Sequence, residues 1–453
     1  MQNLKKIIVQ HQLDTSAVNR FRYLINFINT HPLKPLDLHF EIDNNTKHSD
    51  IHYGNMKGDF HTIPLDACFF DEHKIVDAFF PTSYLDQRKT SFVAVSDKAI
   101  NPTLFYHNNV FGFDLFNTIF FHISRYEEYY ASLEKNGMAG WLKEEHHFLI
   151  ENNLYENPVV DEILSAFFEI IIKKRIDKKS TYSLSHDVDI IQRFTPINKF
   201  VQSLGATIVH RRDLQQLRES IQHYYKMSRG KAADPYDYFS ILLREENQWI
   251  DKRIFMMAGG NTKYDNYYSI DDPTALSIIQ LAENREYTIG LHPSYNAGFE
   301  LIQFKEEKEK LEMVSGHQIH HSRQHWLRWS WDITPHLLTA QRIQTDSSMG
   351  YARYVGFRCG TGFPYRLYDF KNEKVFSWVE HPMTFMESSA IHRANKTGID
   401  LTKLITDFLL LNKKNTHLIL NFHNSNFDPL LASGRALRHF YEKELLDICF
   451  SQI

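Results

Sequence analysis

From residue 182 onward the chain alternates strand-like and helix-like runs, and this alternation restricts the possible folds more than any other feature of the sequence. Apolar or β-branched runs occur at 182–184, 254–257, 287–291, 318–328, 354–357, 375–379 and 418–422. Between them lie helix-like stretches reaching to about 226, then at 238–249, 273–284, 302–315, 402–412 and 430–449. Strands that alternate with helices build βα units and hence a parallel sheet or barrel. The reading is an α/β chain whose larger part is a distorted (β/α) barrel of about seven strands.

The first part of the chain has a different texture. A short strand at 4–9 precedes a helix capped by Asp14-Thr15-Ser16, with Val18, Phe21, Ile25 and Ile28 on one face. Short β-rich pieces such as 67–70 and 92–95 follow, and helices are expected at about 114–134 and 159–173. Within the first of these, Ser124-Arg125-Tyr126-Glu127-Glu128-Tyr129 reads as a solvated, charged helix face. The basic stretch 173–179 marks the domain boundary, giving a smaller α+β domain over 1–175 and the barrel over 176–453.

Composition narrows the function classes. At 453 residues the chain can bury a large core, and its net charge of -4 offers no electrostatic case for nucleic acid. It contains no apolar run long enough to span a membrane, and its first residues lack a signal-peptide core, so a cytoplasmic protein is expected. Three widely spaced cysteines suggest neither a disulfide framework nor a thiolate zinc site. The 25 histidines are the natural source of any metal or acid-base chemistry.

The ends of the strand-like runs carry that chemistry. Asp187 and Asp189 close the first run, and their spacing points both the same way from a strand. Taken alone, the pair either caps the next helix or holds a metal. His292 follows 289–291, Arg358 follows 355–357 and His423 follows 420–422. In a parallel barrel these ends share the face on which active sites lie, and the set suits metal-assisted hydrolysis.

These stretches resemble the polysaccharide deacetylase family, also called the NodB-homology or carbohydrate esterase family 4 domain, over about residues 180–453. The resemblance implies that Asp187 is the general base and Asp189 a metal ligand. His292 matches the first histidine of the family's second motif, while Asn296 stands where the second is expected. His325, in Arg323-Gln324-His325-Trp326, is the preferred replacement, ahead of His320 and His321, which read as part of a strand. Arg358, in Gly356-Phe357-Arg358, matches the arginine that orients the base, and His423, in Leu420-Asn421-Phe422-His423, matches the acid. The same stretches look like a bacterial branch that carries an extra N-terminal domain and is associated with surface-polysaccharide synthesis.

The implied function is removal of an N-acyl group, acetyl first, from an amino sugar. The implied cofactor is a divalent cation, zinc ahead of cobalt, nickel or manganese, on Asp189, His292 and His325. The implied partner is a carbohydrate substrate, with no nucleic acid and no membrane span. Two rivals are an inactive carbohydrate-binding relative and a glycosyltransferase that uses Asp-x-Asp to hold a sugar nucleotide's metal. Trp326, Trp329 and Trp331 are either core residues or a sugar-stacking platform, and the sequence leaves both open.

Overall fold

The structure, a computed structural model, describes residues 4–14, 17–56, 58–65, 105–133, 142–194, 214–265 and 268–451. The expected strands at 67–70 and 92–95, and Thr15 and Ser16 of the expected cap, lie outside these residues. The chain forms two compact units. The first takes in residues up to Ser180, but also Phe357–Val379 and Lys414–Thr416, where the basic stretch pointed to one boundary near residue 175.

In the first unit a mixed six-stranded sheet has the order β2-β1-β3-β4-β6-β5. Its strands are β1 (Lys5–His11), β2 (Leu38–Ile42), β3 (Ile51–Tyr53), β4 (His61–Ile63), β5 (Tyr106–His107) and β6 (Val110–Phe111). The helix Val18–Thr30 covers it, with Phe21, Ile25 and Ile28 buried as the spacing predicts. Phe21 stacks on Tyr53 with ring centroids 5.2 Å apart. The expected helix at 114–134 is broken in two, Leu115–Ile123 and Tyr126–Leu133, because Arg125 takes a left-handed backbone at φ 54.

That break turns the supposed solvated face inward. Arg125, Glu127 and Glu128 are buried. The Glu128 carboxylate accepts from Arg125 Nη2 at 2.5 Å and from Arg358 Nε and Nη2 at 2.8 and 2.9 Å. Glu127 accepts from Arg125 Nη2 at 3.0 Å and from the Phe148 amide at 2.8 Å. Burial works to raise the Glu128 carboxyl, but the Arg125 and Arg358 charges hold it well below its ordinary value. The segment carrying Arg358 is stitched in further by Arg20, which pairs with Glu373 at 2.6 Å, and by Tyr23, whose hydroxyl donates to the Arg366 carbonyl at 2.8 Å.

The second unit is built on an eight-stranded sheet, where about seven strands were expected. It begins with β7 (Thr181–Val188), β8 (Lys252–Met256), β9 (Thr288–Leu291), β10 (His321–Ser322) and β11 (Thr345–Asp346). The hairpin β12 (Tyr368–Asp369) and β13 (Lys374–Val375) belongs to the first unit. The sheet is completed by β14 (Val379–Glu380), β15 (Phe385–Met386) and β16 (His417–His423), in the order β14-β11-β10-β9-β8-β7-β16-β15. Neighbours from β11 round to β15 pair in parallel.

Eight strands laid flat would span about 34 Å. Yet the edge strands β14 and β15 are joined only by residues 381–384, a reach of at most roughly 18 Å. The sheet must therefore curl into a barrel-like wall. The helices Pro273–Asn284, Leu301–Ser315 and Leu401–Leu411 fall where the periodicity places them. Three expectations differ. The helix expected at 238–249 is reduced to Phe239–Leu242, and the closing helix splits into Ala432–Lys443 and Leu445–Phe450. Residues 354–357 form no strand: the amides of Gly356 and Phe357 donate to the carbonyls of Thr384 and Tyr155, neither of which lies in a strand. No helix among the described residues is long and apolar enough to cross a membrane.

Two predictions follow from this packing. Glu128→Ala leaves two guanidiniums buried without their shared acceptor, and should cost about 3–5 kcal/mol in chemical denaturation; a loss under about 1 kcal/mol would mean that the arginines find other acceptors. His417 is buried on β16, with its Nδ1 2.7 Å from Thr181 Oγ1 and its Nε2 3.1 Å from Ser183 Oγ. Burial pushes its pKa down to about 4. Between that value and the unfolded pKa of about 6.5, the unfolded chain binds the proton that the folded chain refuses, so stability falls as pH falls. The urea midpoint should drop from pH 7 to pH 5, and should drop less in His417→Gln; equal drops would remove His417 from the account.

Candidate metal centre and active site

Strand register assembles the site. In the parallel pair of β7 and β16, Ser185 lies beside Asn421 and Asp187 beside His423. Because side chains alternate, these four share one face, while His186 and Phe422 turn to the other. Asp189 comes just past the end of β7, His292 just past β9, and His325 in a single 3₁₀ turn after β10.

Asp189, His292 and His325 converge so that one ligand atom of each lies within 4.8 Å of the others. Asp189 Oδ1 is 3.2 Å from His292 Nε2 and 3.8 Å from His325 Nε2. The Nδ1 of His292 donates to the Arg323 carbonyl at 2.6 Å, which fixes the ring and turns Nε2 to Asp189. Asp189 Oδ1 is buried and, apart from facing the His292 and His325 Nε2 atoms, has no hydrogen bond of sound geometry among the described residues. Buried polar atoms left in this state fit a cation. Burial pushes His325 down to about 4, so it presents the neutral imidazole that ligation requires. Burial works to raise Asp189, but the hydrogen bond and charge of His292, with His423 and His325, hold it below its ordinary value. Two imidazoles and one carboxylate suit zinc with a position left open. Asn296 instead starts the 3₁₀ turn Ala297–Phe299, its carbonyl accepting from the Phe299 amide.

Asp187 is gripped from both sides. Arg323 Nη1 donates to its Oδ1 at 2.8 Å and Asn421 Nδ2 to its Oδ2 at 2.9 Å. Burial works to raise its pKa, but Arg323, His292 and His423 bring it below the ordinary value. The guanidinium on Asp187 is thus Arg323 and not Arg358, which is committed to Glu128 in the first unit. Arg323 is itself buried, over the ring of Phe255 at 4.4 Å, and also bonds Ser185 Oγ, the Ser347 carbonyl and Ser347 Oγ. Gly290 makes room for that ring, since a Cβ there would lie 2.6 Å from Phe255.

His423 faces the carboxylates with Nε2, 3.7 Å from Asp187 Oδ2 and 3.8 Å from Asp189 Oδ2. Its Nδ1 meets Glu387 Oε1 at 2.7 Å. Burial works to lower its pKa, but the Glu387 charge and hydrogen bond, with Asp189 and Asp187, raise it to about 10. Glu387 is fully buried and also accepts from the His423 amide and from Asn426. Sequence reasoning missed Arg323, Asn421 and Glu387. Only Asn421 carried a signal: it lies two residues before His423 on β16 and so on the same strand face.

The fold and site define an α/β chain whose barrel-like sheet carries a candidate divalent-metal centre at its strand ends. Residues 9–176 match the profile of a family of unknown function, DUF7033. A comparison with curated proteins gave no match. Among solved structures, the chain is similar to one titled "Crystal structure of putative polysaccharide deacetylase from Mycobacterium smegmatis", at 15% identity and a TM-score of 0.36, over 59% of this chain and 84% of that one. It is also similar to a 4-alpha-glucanotransferase from Thermococcus litoralis, at 12% identity and a TM-score of 0.35, over 60% of this chain and 37% of that one.

Zinc titration of the purified protein tests the ligand set. Asp189→Ala, His292→Ala and His325→Ala should each abolish stoichiometric uptake, whereas Asn296→Ala should bind as the unaltered protein does. Uptake retained in His325→Ala and lost in Asn296→Ala would exchange the third ligand.

Proposed function

We propose that the second unit is a metal-dependent hydrolase that removes an N-acyl group, acetyl in the first instance, from an amino sugar of a surface polysaccharide or its precursor. One observation supports this most directly: a buried carboxylate, Asp187, is fixed by Arg323 and Asn421 beside three side chains suited to one cation. The resemblance of the motifs around Asp187, His292 and His423 to polysaccharide deacetylases supplies the substrate class.

Asp189, His292 and His325 would hold the cation, zinc ahead of cobalt, nickel or manganese. When bound, such an ion supplies a Lewis acid that polarises an amide oxygen and makes water a stronger acid. Asp187 takes the proton of the attacking water. Both its oxygens are already held, so it need not reorient to do so. His423 gives its Nε2 proton to the departing amine, which cannot leave as a free anion. Glu387 serves this step by fixing Nδ1 and directing Nε2 into the site.

Two variants test the assignment. Asp187→Asn should keep its zinc and lose roughly 10²–10⁴-fold in turnover of an N-acetylated amino sugar. His423→Ala should lose as much on that substrate but far less on a nitrophenyl acetate, whose phenolate departs unaided. Equal losses on both substrates would make His423 a structural residue. A zinc-loaded protein that binds saccharides and turns none over would be a binding protein instead.

A further inference from the structure

His292 enters the site at the end of β9, anchored by its own amide, which donates to the Met256 carbonyl at 2.9 Å. The chain that leaves it is held by two buried carboxylates from elsewhere in the second unit. Glu307, on the helix Leu301–Ser315, is 2% exposed. Its Oε2 accepts from the Ser294 amide at 2.8 Å and its Oε1 from Ser294 Oγ at 2.5 Å. Asp265 is 4% exposed. Its Oδ1 accepts from the following amide, that of Tyr295, at 2.7 Å, and its Oδ2 from the Thr262 amide at 2.6 Å. Gln303, one turn before Glu307, donates from Nε2 to Ser294 Oγ at 2.8 Å and to Glu307 Oε1 at 3.1 Å.

A buried carboxylate destabilises a fold unless donors meet its oxygens. Here the donors include two consecutive backbone amides, two and three residues past a metal-ligand candidate. Holding both amides leaves the loop one course, which runs from Asn296 into the 3₁₀ turn Ala297–Phe299. The brace is also closely fitted, since a Cβ on Gly259, beyond the end of β8, would lie 2.6 Å from Glu307 Cγ. His292 is thus tied on its entry side by the sheet and on its exit side by Glu307 and Asp265.

We propose that Glu307 and Asp265 are positioning residues of the metal centre: by holding the Ser294 and Tyr295 amides they set where His292 Nε2 meets the cation, and so its affinity and coordination geometry. The inference rests on the reading of Asp189, His292 and His325 as ligands and not on any substrate or reaction. Groups that hold a ligand from behind govern metal affinity without touching the ion.

The test measures zinc affinity by competition with a chelator and coordination geometry by the visible absorption of the cobalt-loaded protein. Glu307→Ala should bind zinc roughly 10–100-fold more weakly and shift the cobalt bands. Glu307→Gln should keep most of the affinity, because its amide can still accept from the Ser294 amide and donate to its hydroxyl. The urea midpoints of the metal-free proteins report the fold separately. Should Glu307→Ala not fold, Glu307→Asp decides, being one methylene too short to hold both groups, and it should weaken zinc in the same direction. A folded Glu307→Ala or Glu307→Asp with unchanged zinc affinity and cobalt spectrum would overturn the proposal. A lowered urea midpoint beside unchanged metal binding would do the same, leaving the brace a matter of stability alone. An unaltered protein that takes up neither zinc nor cobalt would sink the metal centre itself, and the positioning role with it.

Discussion

One buried guanidinium, that of Arg323, ties the second unit together. A charge taken out of water must be met by well-placed acceptors or it destabilises the fold by several kcal/mol. Arg323 finds them on Ser185 and Asp187 of β7, on Asn421 of β16 and on Ser347 beyond β11. A single side chain thereby connects strands that lie far apart in the order of the sheet. The same contacts hold both oxygens of Asp187 and favour its ionised form, as the general-base role proposed for it would require. Fold and site thus draw on one set of bonds.

The sequence made the strand ends legible because a parallel sheet puts them on one face regardless of detail. It did not reveal which arginine enters the barrel. Arg358 follows an apolar run just as a strand-end residue should, but its partner Glu128 is 230 residues away and the run forms no strand. Arg323 looked like the tail of a histidine-rich segment. Only the curl of the sheet, which brings β10 and β16 to opposite sides of one interior, makes it the partner of both Asp187 and Asn421. Glu387 was out of reach for the same reason: it begins the helix Glu387–Thr397, and its tie to His423 spans 36 residues.

The first unit shows why a boundary read from charge runs is incomplete. Phe357–Val379 brings it Arg358, paired with Glu128, and the hairpin of β12 and β13, whose Glu373 pairs with Arg20. Asp161 does the same, accepting from Thr416 Oγ1 at 2.5 Å and from the Gly362 amide at 3.3 Å. Ser124 to Tyr129 looks like a surface because charged residues usually are. The left-handed turn at Arg125, invisible in residue types, is what converts it to an interior.

Charge balance then explains the histidines of the site. Three carboxylates, Asp187, Asp189 and Glu387, sit around His423, while Arg323 answers directly only to Asp187. The remaining negative charge is what raises His423 despite its burial. It acts on His292 as well, where burial works to lower the pKa and Asp187 and Asp189 raise it. A histidine ligates through a nitrogen that has lost its proton. A cation that takes His292 Nε2 therefore competes with the protonation that the two aspartates favour. Such acidic surroundings would both favour a divalent ion and make its uptake depend on pH, weakening it as pH falls. His325, pushed the other way by burial, enters the same competition with no proton to lose at neutral pH.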